Sequence, residues 1–404
     1  MRIFCAVRHS NDPRFFYGGL WSTNFYPALR ELGHEIIESQ TDLLPTSCFM
    51  GIADGFTREE REVQARTTEA ILNEVQAALR HGPVDLFLSY FYNSHFDPDG
   101  FNVLRKLDIP SVNFYCNSMY QFAQVAAIAA SADYSWHAER DARTRYTAIG
   151  ANPIWVQMGA DPNIYRPVNH ARRQPKACFV GQRYADRDRL AASLIRANVP
   201  LDLYGSGWGK EETVQALDPQ APTYLGRSYC EPGSINSHLR AAAAVMRTER
   251  GLRGLMRLQR QYRYRSETRR LSPVLAASAK GRAHNLPEVF AAYETILNFS
   301  NVWADGRPGS RLIPHVRLRD FEAPMCRSCY LTGHTDEIGE FYELGTEIST
   351  YQDITELVDK TRFYIAHPDA AERLREAGYK RALRDHTWRR RFEELFRKIK
   401  PSTN

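Results

Sequence analysis

The chain lacks any run of about 18 apolar residues, the length a membrane-spanning helix needs, so no span is expected from it. A leader-like start is missing too. Met1–Val7 is short and runs straight into Arg8 and His9, without the apolar core of a signal peptide. Cysteines are few, seven in all, odd in number and widely scattered. With no export signal they read as reduced thiols, and the protein as cytoplasmic. Cys326 and Cys329 stand two residues apart, but no second pair lies at zinc-ligand spacing, so they are expected to be structural thiols. Internal repeats are absent, and so is low-complexity sequence outside one arginine-rich stretch. The composition, 43% hydrophobic and 25% charged, excludes a disordered chain, a collagen and a coiled coil. At about 100–200 residues per domain, 404 residues make two or three domains.

Basic character is also scarce over most of the chain. The formal net charge is +6, yet residues 240–282 hold twelve Arg or Lys against Glu249 and Glu267. That stretch carries an excess of ten positive charges, and the remainder is at −4.

What is present is an alternation of short apolar runs with helical spacing. Arg2–Arg8, Glu35–Glu38, Val84–Tyr92 and Ser111–Tyr115 read as strands, with helical patterns at Trp21–Leu32, Arg58–His81 and Phe101–Lys106. Val84–Tyr92 is apolar on both faces, as a central parallel strand is. Turn chemistry at Gly159–Pro167 marks a hinge. A second set follows: strands at Ala177–Val180, Leu201–Tyr204, Thr295–Phe299, Ser328–Thr332 and Glu347–Tyr351. The helical patterns between them are Arg187–Ala197, Pro287–Glu294, Ile354–His367 and Ala370–Asp385, and Trp388–Ile399 closes the chain as a basic amphipathic helix. The pattern predicts an α/β protein with two Rossmann-like halves: 1–165, then 166–385 with a basic helical insertion at about 238–284, then 386–404 as a terminal helix. Such halves bind ligands beyond the carboxyl ends of their strands, in the cleft they face.

Candidate residues are therefore sought just after strands. Gly18 and Gly19 precede a helix, where backbone N–H groups can approach a phosphate. His95 and Asp97 follow the Val84–Tyr92 strand and are the candidate acid/base or orienting groups. Asp97-Pro98-Asp99 also has D-x-D spacing for a metal, though Pro98 favours a plain turn. Gly181 with Arg183, and the glycine-rich loop at Gly205, suit a diphosphate. Arg317 and Arg319 could hold phosphates, and the Glu322 carboxylate could accept two vicinal ribose hydroxyls.

The C-terminal third resembles the CgeB-like, spore-maturation-protein-type glycosyltransferases, a branch of the group 1 or family 4-like enzymes. The matching text is Leu297-Asn298-Phe299, Arg319-Asp320-Phe321-Glu322-Ala323-Pro324-Met325-Cys326, Tyr330-Leu331-Thr332, Gly345-Thr346-Glu347-Ile348, His367-Pro368 and His386-Thr387-Trp388. Phe179-Val180-Gly181 and Tyr204-Gly205-Ser206-Gly207-Trp208 echo the same family, in order. The resemblance implies a GT-B fold, two Rossmann-like domains facing across a cleft, with a nucleotide-sugar donor as co-substrate bound mainly by the C-terminal domain. It implies that Glu322, matching the second glutamate of the group 1 E-x7-E motif, contacts the donor ribose. The first glutamate's position is Pro314, and an acidic pair usual after the Val112–Tyr115 strand is Cys116-Asn117. His95 lies where retaining relatives carry a histidine near the donor sugar. In such enzymes the leaving nucleoside diphosphate is stabilised by cations, helix N-termini and amides, with no obligatory metal. Arg183, Arg317 and Arg319 are the candidates for that task. Closure over the hinge would exclude water from the donor.

The basic stretch places Arg247, Arg250, Arg253, Arg257 and Arg260 at intervals of three or four, along one broad helical face. Leu252, Leu255, Leu258 and Tyr262 fall opposite. One reading is a solvated helix packed by its leucines. The others are an anionic membrane surface or lipid-linked acceptor, which would make the protein peripheral at the membrane, an acidic polymer including nucleic acid, and the donor phosphates. The function expected is sugar transfer from a nucleotide-sugar. The alternatives are a non-catalytic nucleotide- or polyanion-binding protein on the same scaffold, and a metal-dependent GT-A-type transferase using Asp97 and Asp99.

Overall fold

The computed structural model describes residues 1–7, 19–169, 172–209 and 251–399. Gly18, Arg247 and Arg250 lie outside the described residues, as does 238–250 of the expected insertion. The chain divides into two units. The first takes its described residues from Met1–Gln157 and Trp388–Asn404, the second from Met158–Asp218 and Leu239–Thr387.

The first unit runs β1 (Arg2–Ala6), α1 (Leu20–Glu31), β2 (Glu35–Glu38), α2 (Leu44–Ser47), α3 (Arg58–Leu79), β3 (Leu86–Ser89), α4 (Gly100–Lys106), β4 (Ser111–Tyr115), α5 (Ser118–Gln121), α6 (Ala126–Ser131), β5 (Tyr134–His137), α7 (Arg143–Ala148) and β6 (Pro153–Trp155). Its sheet has the order β2-β1-β3-β4-β5-β6, every pair parallel. β3 and β4 are buried throughout: β3 is almost wholly apolar, and the polar face of β4 is satisfied internally, Asn113 Oδ1 accepting from the Ser89 hydroxyl and the Phe91 N–H and Ser111 donating to Asp133. α3 starts at a capping box: the Thr57 side chain accepts from the Glu60 N–H, and Glu60 accepts from the Thr57 N–H. β5 and β6 were not among the expected strands. They are short and interrupted by Ser135, His137 and Pro153, so the pairing to β4 defines them rather than any apolar run.

The second unit runs β7 (Gln174–Val180), α8 (Arg187–Arg196), β8 (Leu201–Tyr204), α9 (Leu252–Ala276), α10 (Leu286–Ala292), β9 (Tyr293–Asn298), β10 (Val302–Trp303), β11 (Leu312–Ile313), α11 (Arg319–Met325), β12 (Tyr330–Gly333), β13 (Ser349–Tyr351), α12 (Ile354–Ala366) and α13 (Pro368–Asp385). The parallel sheet is ordered β13-β12-β9-β7-β8, and β10 and β11 form a separate antiparallel pair. The core joins Phe179, Leu203, Leu297, Phe299 and Leu331 of the strands to Leu190, Leu194, Leu271, Leu275 and Leu357 of the helices. Two parallel sheets flanked by helices are the α/β class expected from the sequence.

The last helix, α14 (Trp388–Lys398), belongs to the first unit. Trp388, Arg391, Phe392 and Leu395 recur at helical spacing and are buried. Trp388 is fully buried, edge-on to Phe25 at 5.1 Å and Trp136 at 6.3 Å, and its indole N–H donates to Asn24 Oδ1 at 2.8 Å. Truncation would remove a large apolar body and orphan the asparagine. Trp388→Ala should lower stability by about 3–5 kcal/mol in urea denaturation, with Trp388→Phe recovering part of the loss.

His137, at the end of β5, is buried with Nδ1 2.9 Å from the Glu139 carbonyl and its ring stacked on Tyr146. Burial, opposed by that carbonyl and reinforced by Arg143 and Lys398, lowers its pKa from 6.5 to about 4. Between those values the unfolded chain takes up the proton and the native ring does not. Stability is therefore present above about pH 6.5 and lost as pH falls towards 4. Over that window the parent protein should lose up to about 3 kcal/mol more than His137→Gln, read from urea denaturation at each pH.

Candidate donor site in the second unit

In the second unit the strand order reverses between β7 and β9. β8 is added on one side of β7, while β9, β12 and β13 follow on the other. The loops leaving β7 and β9 therefore diverge at the carboxyl edge, which makes this the switch point where open parallel sheets bind ligands. Gly181–Asp186 leave β7, and Phe299–Asn301 leave β9.

These loops are tied together by side chains. Asn301 donates to Asp186 Oδ2 at 2.7 Å, Arg317 Nη2 donates to the Asn301 carbonyl at 3.3 Å, and the Trp303 N–H donates to the Tyr184 hydroxyl at 3.3 Å. Burial pushes the Asp186 carboxyl up, against the pull of its bond from Asn301. A cavity of about 500 Å³ opens beside Asp186 and Asn301, lined also by Arg189, Ser193, Tyr351 and Asp353.

The first turn of α11 is held at the same carboxyl edge by Asp320. This carboxylate is 1% exposed. Its Oδ1 accepts from Asn298 Nδ2 at 3.2 Å, the Tyr330 hydroxyl at 2.9 Å and the Thr332 hydroxyl at 2.8 Å. Its Oδ2 accepts from the Arg317 N–H at 2.6 Å. Asn298 ends β9 and Thr332 lies near the end of β12, so one buried group fixes the helix start to two strand ends. Burial still pushes the Asp320 carboxyl up, against those four bonds.

Around this anchor stand three of the sequence-predicted residues. Arg317 precedes α11 and is half-buried. Arg319 Nη1 donates to Glu322 Oε2 at 2.6 Å, and its guanidinium lies 5.4 Å from the Phe290 ring centre. Glu322 is 3% exposed and also meets the Tyr165 hydroxyl, whose pKa burial and then Glu322 push up. The structure thus brings Arg317, Arg319 and Glu322 together, with Glu322 already paired within the unit.

Gly181 and Gly205 are also brought together. Gly205 has φ +120°, and a Cβ there would lie 2.4 Å from the Gly181 carbonyl oxygen, so a side chain is excluded on both counts. The same oxygen accepts from the Trp208 indole at 2.7 Å. The glycines let two loops touch backbone to backbone.

The other expected residues have these surroundings. Arg183 is not a free cation over these loops. It donates to the Ser272 hydroxyl at 2.9 Å and to the Thr268 carbonyl, and pairs with Asp188 at 3.4 Å, so it braces the β7 loop against α9. His95, in the first unit, is fully buried. The Tyr92 N–H donates to its Nδ1 at 3.3 Å, which leaves the proton on Nε2, 3.1 Å from the Ser47 hydroxyl; Ser47 in turn donates to the Leu43 carbonyl. In this structure the ring orders the loop after β3 rather than presenting an open base. Asp97 Oδ1 accepts from the Asp99 N–H at 3.0 Å, a turn closed on itself. Gly19 precedes α1 with an ordinary negative φ, and a Cβ there would make ordinary contact with Ser22 Oγ and Thr23 Oγ1, each at 3.9 Å. Among the described residues no group of three or more His, Cys, Asp or Glu is arranged to hold a metal. Cys326 and Cys329 are buried, and burial pushes both thiols up, Cys329 to about 12, as suits structural thiols.

Sequence reasoning passed over Asp186, Asn301, Asn298 and Thr332. The signal for the last two was there: each is a polar residue near the carboxyl end of a fully buried parallel strand.

With this geometry in place, the chain can be set beside known proteins. Residues 262–397 match the family described as "Glycosyl transferase-like". None of the curated proteins matches the chain. Among solved structures it is similar to the sucrose-phosphate synthase of Thermosynechococcus elongatus, at 14% identity over 98% of each chain and a TM-score of 0.53. It is similar to HepE of Anabaena, solved with UDP, at 10% identity over 99% of this chain and 100% of that chain, TM-score 0.54. It is also similar to a glycosyltransferase from Rickettsia africae, at 9% identity over 98% and 97%, TM-score 0.56. At such identities the likeness is one of fold. Residues 262–397 are thus similar to a glycosyl transferase-like family, and the chain as a whole has the two-sheet GT-B fold.

Proposed function

We propose that the protein transfers a sugar from a nucleotide-sugar donor, and that the second unit holds the donor's nucleoside diphosphate. One observation carries this reading. The first turn of α11, with Arg317, Arg319 and Glu322, is locked by Asp320 at the carboxyl ends of β9 and β12, beside the switch point. The family match spans this segment. HepE was solved with UDP and with UDP-glucose, so a uridine donor is the first to test.

The chemistry follows from the residue types. Breaking the sugar–phosphate bond puts negative charge on the leaving diphosphate. Arg317 and Arg319 would meet that charge from fixed positions, and the N-terminus of α8 beside the same loops would add its dipole. We assign this stabilisation to the protein's own cations. Glu322 would accept the ribose hydroxyls after exchanging part of its pairing with Arg319. The neighbouring cavity of about 500 Å³ falls within the usual range for small-molecule sites. The CgeB-like subtype is our reading of the ordered motifs through His386-Thr387-Trp388. Among the described residues no helix is long and apolar enough to cross a membrane. We assign the anionic partner suggested by the basic stretch to α9, whose exposed arginines support that reading.

Glu322→Gln is the direct test, because it keeps the side chain's shape beside Arg319 and Tyr165 while removing the carboxylate. UDP affinity by calorimetry should fall at least tenfold, a loss of about 1.4 kcal/mol, with the far-ultraviolet spectrum unchanged. Unchanged affinity would sink the ribose assignment. Tight UDP binding without sugar transfer, across a panel of donors and acceptors, would instead favour a scaffold that has lost catalysis. Pro314 and Cys116-Asn117, in place of carboxylates, are the residues that motivate that outcome.

A further inference from the structure

One reading of α9 has its first leucines packed inward beneath a solvated basic face. Instead, Leu252 is 74% exposed, Leu255 56%, Met256 59% and Tyr262 74%, while Gly254, Arg257 and Gln261 are buried. Leu258 is half-buried.

The register cannot slip to hide those side chains. Arg257 pairs with Asp305 at 2.5 Å. Gly309, at φ +84°, approaches so closely that a Cβ there would lie 2.9 Å from Gln261 Cγ and 3.0 Å from the Gln261 nitrogen. Further along, Thr268 and Ser272 receive Arg183, and Leu271 and Leu275 enter the core. The inward face is thus chosen by small and polar residues over the first half and by leucines over the second.

At about 100° per residue, Leu252, Leu255, Met256 and Tyr262 project within roughly 120° of one another. Arg253, Arg260 and Arg263 are exposed beside them, and Arg269 and Arg270 extend the cationic face. Glu267 is the only acid between Leu252 and Ala276, and it pairs with Arg189 at 3.0 Å. Single exposed apolar residues are ordinary, but a cluster of four on one helix face within eleven residues marks an interaction surface.

We propose that this face of α9 docks on an anionic lipid bilayer. The four apolar side chains enter the acyl boundary, and the flanking arginines engage acidic headgroups. Two features select this partner. A second copy of the chain would bring five exposed arginines against five of the same sign. A nucleic acid would use flat rings for base stacking, and here the inserting residues are two leucines, a methionine and one tyrosine. Apolar insertion flanked by cations is the chemistry of an interfacial helix lying in the headgroup plane. This deepens the anionic-partner reading given above and rests on it only for location; donor binding is independent of it.

The test uses the full chain and vesicles of phosphatidylcholine, alone or mixed with phosphatidylglycerol. The protein should co-sediment with the mixed vesicles and not with phosphatidylcholine alone. Leu252→Ser/Leu255→Ser/Met256→Ser should lose this binding at low salt, by at least tenfold in partition. Arg253→Gln/Arg260→Gln/Arg263→Gln should weaken it and flatten its salt dependence. Tyr262→Trp should add blue-shifted emission on the mixed vesicles. UDP binding should be unchanged in all three variants. Failure of the parent protein to bind the mixed vesicles overturns the proposal. So does equal binding by the serine variant, which would mean surface charge alone, and so does a preference for single-stranded nucleic acid over vesicles. Vesicle binding without UDP binding would leave the docking surface standing and remove the donor reading; the reverse would remove only the docking surface.

Discussion

A single buried carboxylate sets the geometry on which the candidate site depends. Asp320 sits where burial disfavours its charge, and it is held there by four donors drawn from two strands and a loop. Losing donors would raise the cost of keeping this buried carboxylate, most at Oδ2, which accepts from the Arg317 N–H, so the arrangement is stiff. Its consequence is positional. α11 is only seven residues long and could not hold its own direction by helix propensity. Tied to Asn298 and Thr332, it carries Arg319 and Glu322 to the carboxyl edge as fixed charges, and Arg317 arrives with them through the backbone N–H that Asp320 receives.

The second constraint is the contact of α9 with the rest of its unit. A long helix with leucines along one side would ordinarily bury them. Here the inner face is taken by a tight backbone approach at Gly309, the Arg257–Asp305 pair and the bracing of Arg183. These interactions are individually modest, but they are geometrically exclusive, and they leave the apolar side chains outward. Charge that looked like a property of a segment becomes a patterned surface, with apolar side chains flanked by arginines. Arg183, which by sequence alone looked like a diphosphate ligand, is spent on holding this helix in place.

Much of the architecture was legible in the residues. Central parallel strands carry short apolar runs, so the apolar parts of β3, β4, β7, β8 and β9 announced themselves, and helices such as α3, with Thr57 and Glu60 at capping spacing, carried their own start signals. β5 and β6 were not legible, because their identity comes from pairing to β4 and not from composition. Part of the site was readable too: Arg317, Arg319 and Glu322 stood out as charges after a strand, inside an ordered set of motifs. His95 and Asp97 stood out equally, yet one is enclosed with both ring nitrogens engaged and the other closes a turn.

By itself, then, the sequence determined most of the strands and helices, that the sheets are parallel, and that one stretch concentrates the positive charge. These follow from periodicity and composition, which act over a few residues. Only the tertiary structure decided which cations are braced and which are presented, that Asp320 is the anchor beneath Glu322, and that α9 turns Leu252 and Leu255 outward. Those outcomes depend on which distant groups meet, as Gly309 meets Gln261 and Thr332 meets Asp320. Contacts across such separations leave no local signature in the chain.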